Sequence, residues 1–414
     1  MPSTPLSARS PTAGAWRSGV APAAGALLIV AAIVLRLRSL PFVSSDMERY
    51  LLPWYSTLLD GGAASLGSGF SDYPPAYLYL LFLAGRLHEW VAPVVAIKSI
   101  SIVFDVAIGA LTYLIVRQHG RGARYAMLGA LASLVLPTVW LNSARWGQCD
   151  SIYSAFLLAC VYCYIARQPF AAMLSFSFAL SFKLQAVFLV PFLAFEHWRR
   201  GYRLRYLALP VGVCLVLALP ALYAGRSVLD LLAIYPRQVR GYTELSIWAP
   251  SVWGLCYLTA DFCRSWSTVI GVLVIFNAVG LACAIVITRH GREILGAPQS
   301  TLLMATASAL VVPFLLPRMH ERYFFTADVL SFILALCVPQ LWYLAAGVQA
   351  ASVMAYGSML FGWSSLLVPL GSVLNGACIV GVLVHLGSGR RLFARSAVAG
   401  GTAGAASPAR GREP

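Results

Sequence analysis

Apolar runs of about 15 to 20 residues recur from Ala21 to His385, separated by short polar breaks rich in arginine. Each run approaches the length at which a helix crosses roughly 30 Å of hydrocarbon with its backbone satisfied internally. The strict alternation of apolar and polar residues that a barrel strand needs is absent. The pattern predicts an all-α polytopic transmembrane helix bundle of about 10 to 13 spans. Two long outer loops interrupt the runs, a first over about residues 38–96, whose stretch Ser44–Tyr77 is too polar for lipid, and a second over about residues 224–266. Residues 21–388 form the membrane domain, and the Ala, Gly, Pro and Arg-rich ends, 1–20 and 389–414, read as disordered cytoplasmic tails.

The arginine clusters orient the spans. With Arg9 and Arg17 cytoplasmic, the clusters at Arg117–Arg124, Arg199–Arg205, Arg289–Arg292 and Arg390–Arg395 share the cytoplasmic face. This holds if the run over 77–96 dips into the outer interface instead of crossing, and if 170–196 is two short helices meeting at Phe182-Lys183-Leu184-Gln185. Arg36 and Arg38, at the outer end of the first run, go against the rule. The order gathers most of the 15 acidic residues on the opposite face, and because acids contribute little to orientation, that gathering asks for a functional cause.

Composition agrees with the membrane reading: 59% hydrophobic, 11% charged, mean hydropathy +0.77. A net charge of +15 in a soluble chain would suggest nucleic acid, but here topology accounts for it, and no nucleic-acid partner is expected. Nine scattered cysteines without ligand spacing read as small buried hydrophobes, not as a disulfide framework or zinc site.

Chemistry concentrates in a few outer segments. Asp46, in SDMERY, suits a general base at the membrane edge, or an N-cap shared with Ser44 or Ser45. Glu48 pairs with Arg49, assists Asp46 or is a first-turn acid favoured by the helix dipole. Asp72 and Tyr73, in DYPP, either start a helix or shape a site. In RWGQCDS, Asp150 can cap the next span, while Trp146 and Gln148 offer an indole and an amide to a carbohydrate. Lys183 and Gln185 interrupt an apolar run, Lys183 either snorkelling to the interface or acting. Arg318, His320 and Arg322, in RMHERY, face headgroups or grip a phosphate, with Arg237 and Arg240 a further anion site. Asp105 and Asp328 lie inside spans.

SDMERY, DYPPAY, WGQCDS, FKLQ and MHERY, in that order, resemble the GT-C superfamily of polyprenyl-phosphate-sugar-dependent glycosyltransferases, closest to bacterial relatives of the GPI-anchor second mannosyltransferase, with an acid-rich first loop like that of the ER dolichyl-phosphate-glucose glucosyltransferases. The resemblance covers roughly residues 25 to 340 and implies inverting transfer of a hexose, mannose or glucose, at the outer face of a bacterial cytoplasmic membrane. It makes Asp46 the base that deprotonates the acceptor, and Arg318, His320, Arg322 and Lys183 the support of the departing phosphate. Glu48, Asp72, Tyr73, Trp146, Gln148, Asp150, Gln185, Arg237 and Arg240 fall to sugar or acceptor contact. The partners implied are a polyprenyl-phosphate-linked sugar, a glycan, glycolipid or protein acceptor, and membrane lipid. No cofactor or metal is expected, since the D-x-D pattern of metal-dependent relatives is missing. The rival reading is a transporter or flippase for a lipid-linked glycan, using the intramembrane acids; no internal repeat supports it.

Overall fold

The computed structural model describes residues 12–240, 244–258 and 298–387. The apolar runs fold as helices. The first third holds α1 (Thr12–Ser39), α2 (Leu52–Gly61), α3 (Pro75–Gly85), α4 (Pro93–Gln118), α5 (Ala123–Ser133) and the single turn α6 (Pro137–Trp140). Then come α7 (Asp150–Ile165), α8 (Pro169–Phe182), α9 (Val190–Arg200), α10 (Leu209–Tyr223) and α11 (Val228–Arg240). After strand β1 (Ser246–Ile247) follow α12 (Pro298–Leu315), strand β2 (Met319–His320), α13 (Phe325–Cys337), α14 (Trp342–Phe361) and α15 (Leu367–Gly387). Proline opens α3, α4, α6 and α8, where its missing N–H costs nothing and its fixed φ favours the first turn.

Among the described residues five helical stretches are long and apolar enough to cross a membrane, or six if the pair α5 and 137–146, bent by 47°, counts as one. The protein is therefore a helical bundle suited to several passes. Of the expected spans, the run at 269–288 and both distal tails, 1–11 and 388–414, lie outside the described residues. At about 1.5 Å per residue, the 11-residue α3 reaches only about 17 Å, short of a crossing. The run over 170–196 is broken where expected: α8 ends at Phe182 and a 3-10 segment, Leu184–Leu189, precedes α9.

The core sits where α7 packs against α4 and α8, and where α14 packs against α13 and α15. Apolar side chains on α1, α10 and α15, among them Leu27, Val211, Leu215, Val373 and Val380, stay exposed. Such surface belongs in hydrocarbon, where helices are held together by close packing and internal polar pairs more than by expulsion of water. One pair explains the anomaly at Arg36. It is no loop residue: its guanidinium reaches into the bundle to Asp105 at 2.7 Å and to the Leu134 carbonyl at 2.9 Å. Ser143 and Ser151 donate to the same carboxylate, both at 2.5 Å, so Asp105 is a saturated structural ion pair.

Two features depart from the sequence reading. The strands β1 and β2 pair in parallel, Ser246 with Met319 and Ile247 with His320; two residues each are too few for any periodicity to show. Cys256 is disulfide-bonded, whereas Cys149, Cys160, Cys163, Cys214, Cys337 and Cys378 are free, so among the described residues the reading of the cysteines as inert hydrophobes fails at Cys256.

Candidate functional site

Three breaks in the helical bundle meet around Asp46. Lys98, buried on α4, donates to the carbonyls of Ser39, Leu40 and Phe42 and ties down the end of α1. The chain then turns through a π-helical segment, Met47–Leu51. Of the three candidate caps it is Ser44 that serves: its Oγ accepts from the Met47 N–H at 3.1 Å and donates to the Trp146 carbonyl at 2.7 Å. Asp46 makes no capping bond. Its carboxylate is left for tertiary contacts, and Oδ2 accepts from Trp146 Nε1 at 3.1 Å and Gln148 Nε2 at 2.6 Å.

Trp146 and Gln148 are delivered by a second π-helical segment, Leu141–Trp146, closed by Gly147 in the left-handed region at φ 84°. A Cβ on Gly147 would lie 2.3 Å from Met47 Cε, so glycine both makes the turn and lets the two segments touch. Irregular π turns of this kind gather at functional sites. Gln148 is held in turn by the Tyr73 hydroxyl, which donates to its Oε1 at 3.4 Å. Burial raises the Tyr73 phenol well above its ordinary value, so it stays a donor.

Behind this layer lies a buried charge network. Asp150 opens α7, where the helix dipole favours a carboxylate, and it is wholly buried. Lys183, at the α8 break, donates to its Oδ1, and Asn142 donates to Oδ2 at 2.8 Å. Lys183 is therefore paired inside the protein, not snorkelling. Arg322 lies over the Trp146 ring, 5.4 Å from its centroid. It is shared by three acids: Glu321 at 2.9 Å, Asp46 at 3.7 Å and Asp150 at 3.8 Å.

The β1 and β2 pairing fixes this last cluster. Arg318 turns the chain out of α12 with a left-handed backbone, φ 62°, and its N–H donates to the Leu245 carbonyl at 2.7 Å. Glu321 is buried, and burial, opposed by Arg322, pushes its carboxyl up to about 7. Burial and the positive charge of Arg322 and Lys183 hold His320 well below its usual value, so it is a neutral imidazole at physiological pH. Being neutral, it forms no ion pair with Glu321, 3.8 Å away.

These segments wall a cavity of about 440 Å³. Of the residues singled out in the sequence, Asp46, Asp72, Tyr73, Gln148, Lys183, Gln185, Arg237, His320 and Arg322 line it. Trp146 and Asp150 stand directly behind the wall, bonded to Asp46 and Lys183. Glu48 and Arg318 are exposed and off the wall, and the side chain of Arg240 lies outside what is described. Arg237 is half exposed and bonded to Asp230. The sequence reading passed over Glu321, Asn142 and Arg49. Arg49 lines the cavity but reads in the sequence as a partner of Glu48; Glu321 reads there only as one of the acids gathered on the outer face. Among the described residues no three His, Cys, Asp or Glu side chains group as a metal site would require. Compared with known proteins, the chain matches no family model and no curated protein.

Proposed function

We propose that the protein is an inverting glycosyltransferase that moves a hexose, mannose or glucose, from a polyprenyl-phosphate donor to a hydroxyl of a lipid-linked, polysaccharide or protein acceptor at the outer face of a bacterial cytoplasmic membrane. The observation that carries this reading is the unequal use of the Asp46 oxygens. Oδ2 is taken by Trp146 and Gln148, which fix the group, while Oδ1 accepts no hydrogen bond from the described residues and the side chain lines the cavity. A carboxylate held on one oxygen and open on the other is oriented for proton abstraction.

In this mechanism the acceptor O–H gives its proton to Asp46 Oδ1 as its oxygen attacks the anomeric carbon. The bond from that carbon to the phosphate oxygen breaks through an oxocarbenium-like transition state, with inversion. Polyprenyl phosphate leaves with one more negative charge than the donor carried. Arg322, the nearest cation to Asp46, is shared by three acids and steadies the base. Arg49 and Arg237, on the same wall, meet the phosphate from the mouth. Lys183 holds Asp150 and supports the site from behind. The bond to Cys256 in the second loop suits an oxidising compartment and hence an outer location. Of the two intramembrane acids on which a transporter would draw, Asp105 is locked by Arg36 and two serines.

The test is transfer of radiolabel from polyprenyl-phosphate mannose or glucose in proteoliposomes. Asp46→Asn should lower the rate by about 100- to 10,000-fold, the usual contribution of a general base. Full transfer by that variant, or label that changes leaflet without forming a product, overturns the proposal.

A further inference from the structure

Among the described residues, Oε1 of Gln185 and Oε2 of Glu321 accept no hydrogen bond from another residue, while the Gln185 amide meets the Tyr323 hydroxyl and the Glu321 carboxylate takes its own backbone N–H. Both side chains are more than nine-tenths buried, at 7% and 1% exposure, and both line the cavity. Folded proteins pair nearly all buried polar atoms, so an unpaired acceptor on a residue that lines a cavity calls for a donor that the described residues do not supply.

The surroundings restrict what that donor is. A cation would meet Arg322, 2.9 Å from the other Glu321 oxygen, and Lys183 beside Asp150. An anion would meet the carboxylates of Glu321, Asp46 and Asp150. A neutral hydroxyl meets neither objection. The same wall carries aromatic rings: Tyr323 packs 5.0 Å from His320 and Tyr73 5.1 Å from Trp54. Acceptors and ring faces on one wall suit a polyhydroxylated ring, whose C–H bonds lie on the aromatic groups while its O–H bonds point at the acceptors. Gln185 and Glu321 both come from irregular turns between helices, a place where side chains reach a cavity that helix packing would close.

We infer that Gln185 and Glu321 form the hydroxyl-reading subsite for the hexose, so that the donor binds with its sugar inward and its phosphate toward Arg49 and Arg237 at the mouth. The choice of a sugar as ligand rests on the transferase reading. Specificity among hexoses then resides in two side chains that take no part in the bond changes.

The probe is citronellyl phosphate carrying mannose or glucose, with the monodeoxy counterparts of each, titrated against the full chain in detergent while tryptophan fluorescence is followed. Wild type should bind one of the monodeoxy donors about 10- to 100-fold more weakly than its parent, the range for a lost hydrogen bond to a buried or charged acceptor. In Gln185→Leu or Glu321→Leu the parent should weaken by a similar factor and that discrimination should disappear. Citronellyl phosphate without sugar should bind wild type and both variants alike, which shows that the fold and the phosphate end are intact. Glu321→Gln, which keeps an acceptor, should retain most of the discrimination. The inference is overturned if both leucine variants keep the full deoxy penalties, or if no sugar-bearing probe binds wild type more tightly than citronellyl phosphate alone. Discriminating binding with no transfer to any acceptor leaves the subsite standing and removes the transferase reading; transfer with discrimination unchanged in the variants does the reverse.

Discussion

Replacing Lys183 separates two roles that the sequence leaves open, a grip on phosphate and a partner for a buried acid. The ammonium is 6% exposed and donates to Asp150, whose carboxylate is fully buried. Lys183→Met keeps the chain length and removes the charge. Asp150 would then retain Asn142 at 2.8 Å, the start of α7, and Arg322 at the looser distance of 3.8 Å. Breaking a buried pair from one side costs about 3 to 5 kcal/mol, because the other charge is stranded. With Asn142 and the helix terminus still in place, the lower figure of about 3 kcal/mol is expected. Lys183→Met with Asp150→Asn strands no charge and should recover about 2 kcal/mol of that loss. The assay is reversible unfolding in mixed micelles, followed by tryptophan fluorescence, for wild type, both single variants and the double variant. If Lys183→Met unfolds with wild-type stability and only weakens donor binding, the lysine serves the ligand and the pairing argument is wrong.

Two further outcomes follow from the site. Gly147→Ala places a side chain at φ 84°, costing about 1 to 2 kcal/mol, and pushes on Met47 Cε at 2.3 Å; transfer activity should fall more than stability, and adding Met47→Ala should restore part of the activity but none of the backbone cost. Glu321 binds its proton more tightly folded than unfolded, with a value of about 7 against an ordinary 4.5. Its stabilising contribution is therefore complete below about pH 4.5 and is lost as pH rises to about 7, a change of about 3 kcal/mol relative to Glu321→Gln; parallel unfolding curves for the two proteins across that window would refute the burial argument.

What could be read from the sequence was whatever is local. Run length gave α1, α4, α10, α14 and α15, and Lys183 in an apolar run gave the break between α8 and α9. What stayed hidden is pairing across the chain. Arg36 reads as a breach of the positive-inside rule because its partner Asp105 lies 69 residues away. Lys183 reads as a snorkelling residue because Asp150 lies 33 residues back. Around Asp46 the sequence offers three capping groups, and only contact with Trp146, 102 residues beyond Ser44, shows that Ser44 takes that role. The aspartate is thereby left to the site.

The same non-local pairing governs how an anionic substrate enters. Apart from the exposed Asp72, the cavity and the layer behind it hold three carboxylates, Asp46, Asp150 and Glu321, against two committed cations, Lys183 and Arg322. With Glu321 protonated the interior is balanced; with it ionised the interior carries one excess negative charge. In neither state does it attract a phosphate, although its cations taken one by one in the sequence seem made for that purpose. Attraction comes from the mouth, where Arg49 is exposed and without a partner among the described residues, and where Arg237 is half exposed. On the transferase reading, a donor drawn in by its phosphate therefore stops with that group at the rim, and the part that goes deeper is neutral. Asp46, 22% exposed between rim and interior, then stands at the height of the bond that joins the two.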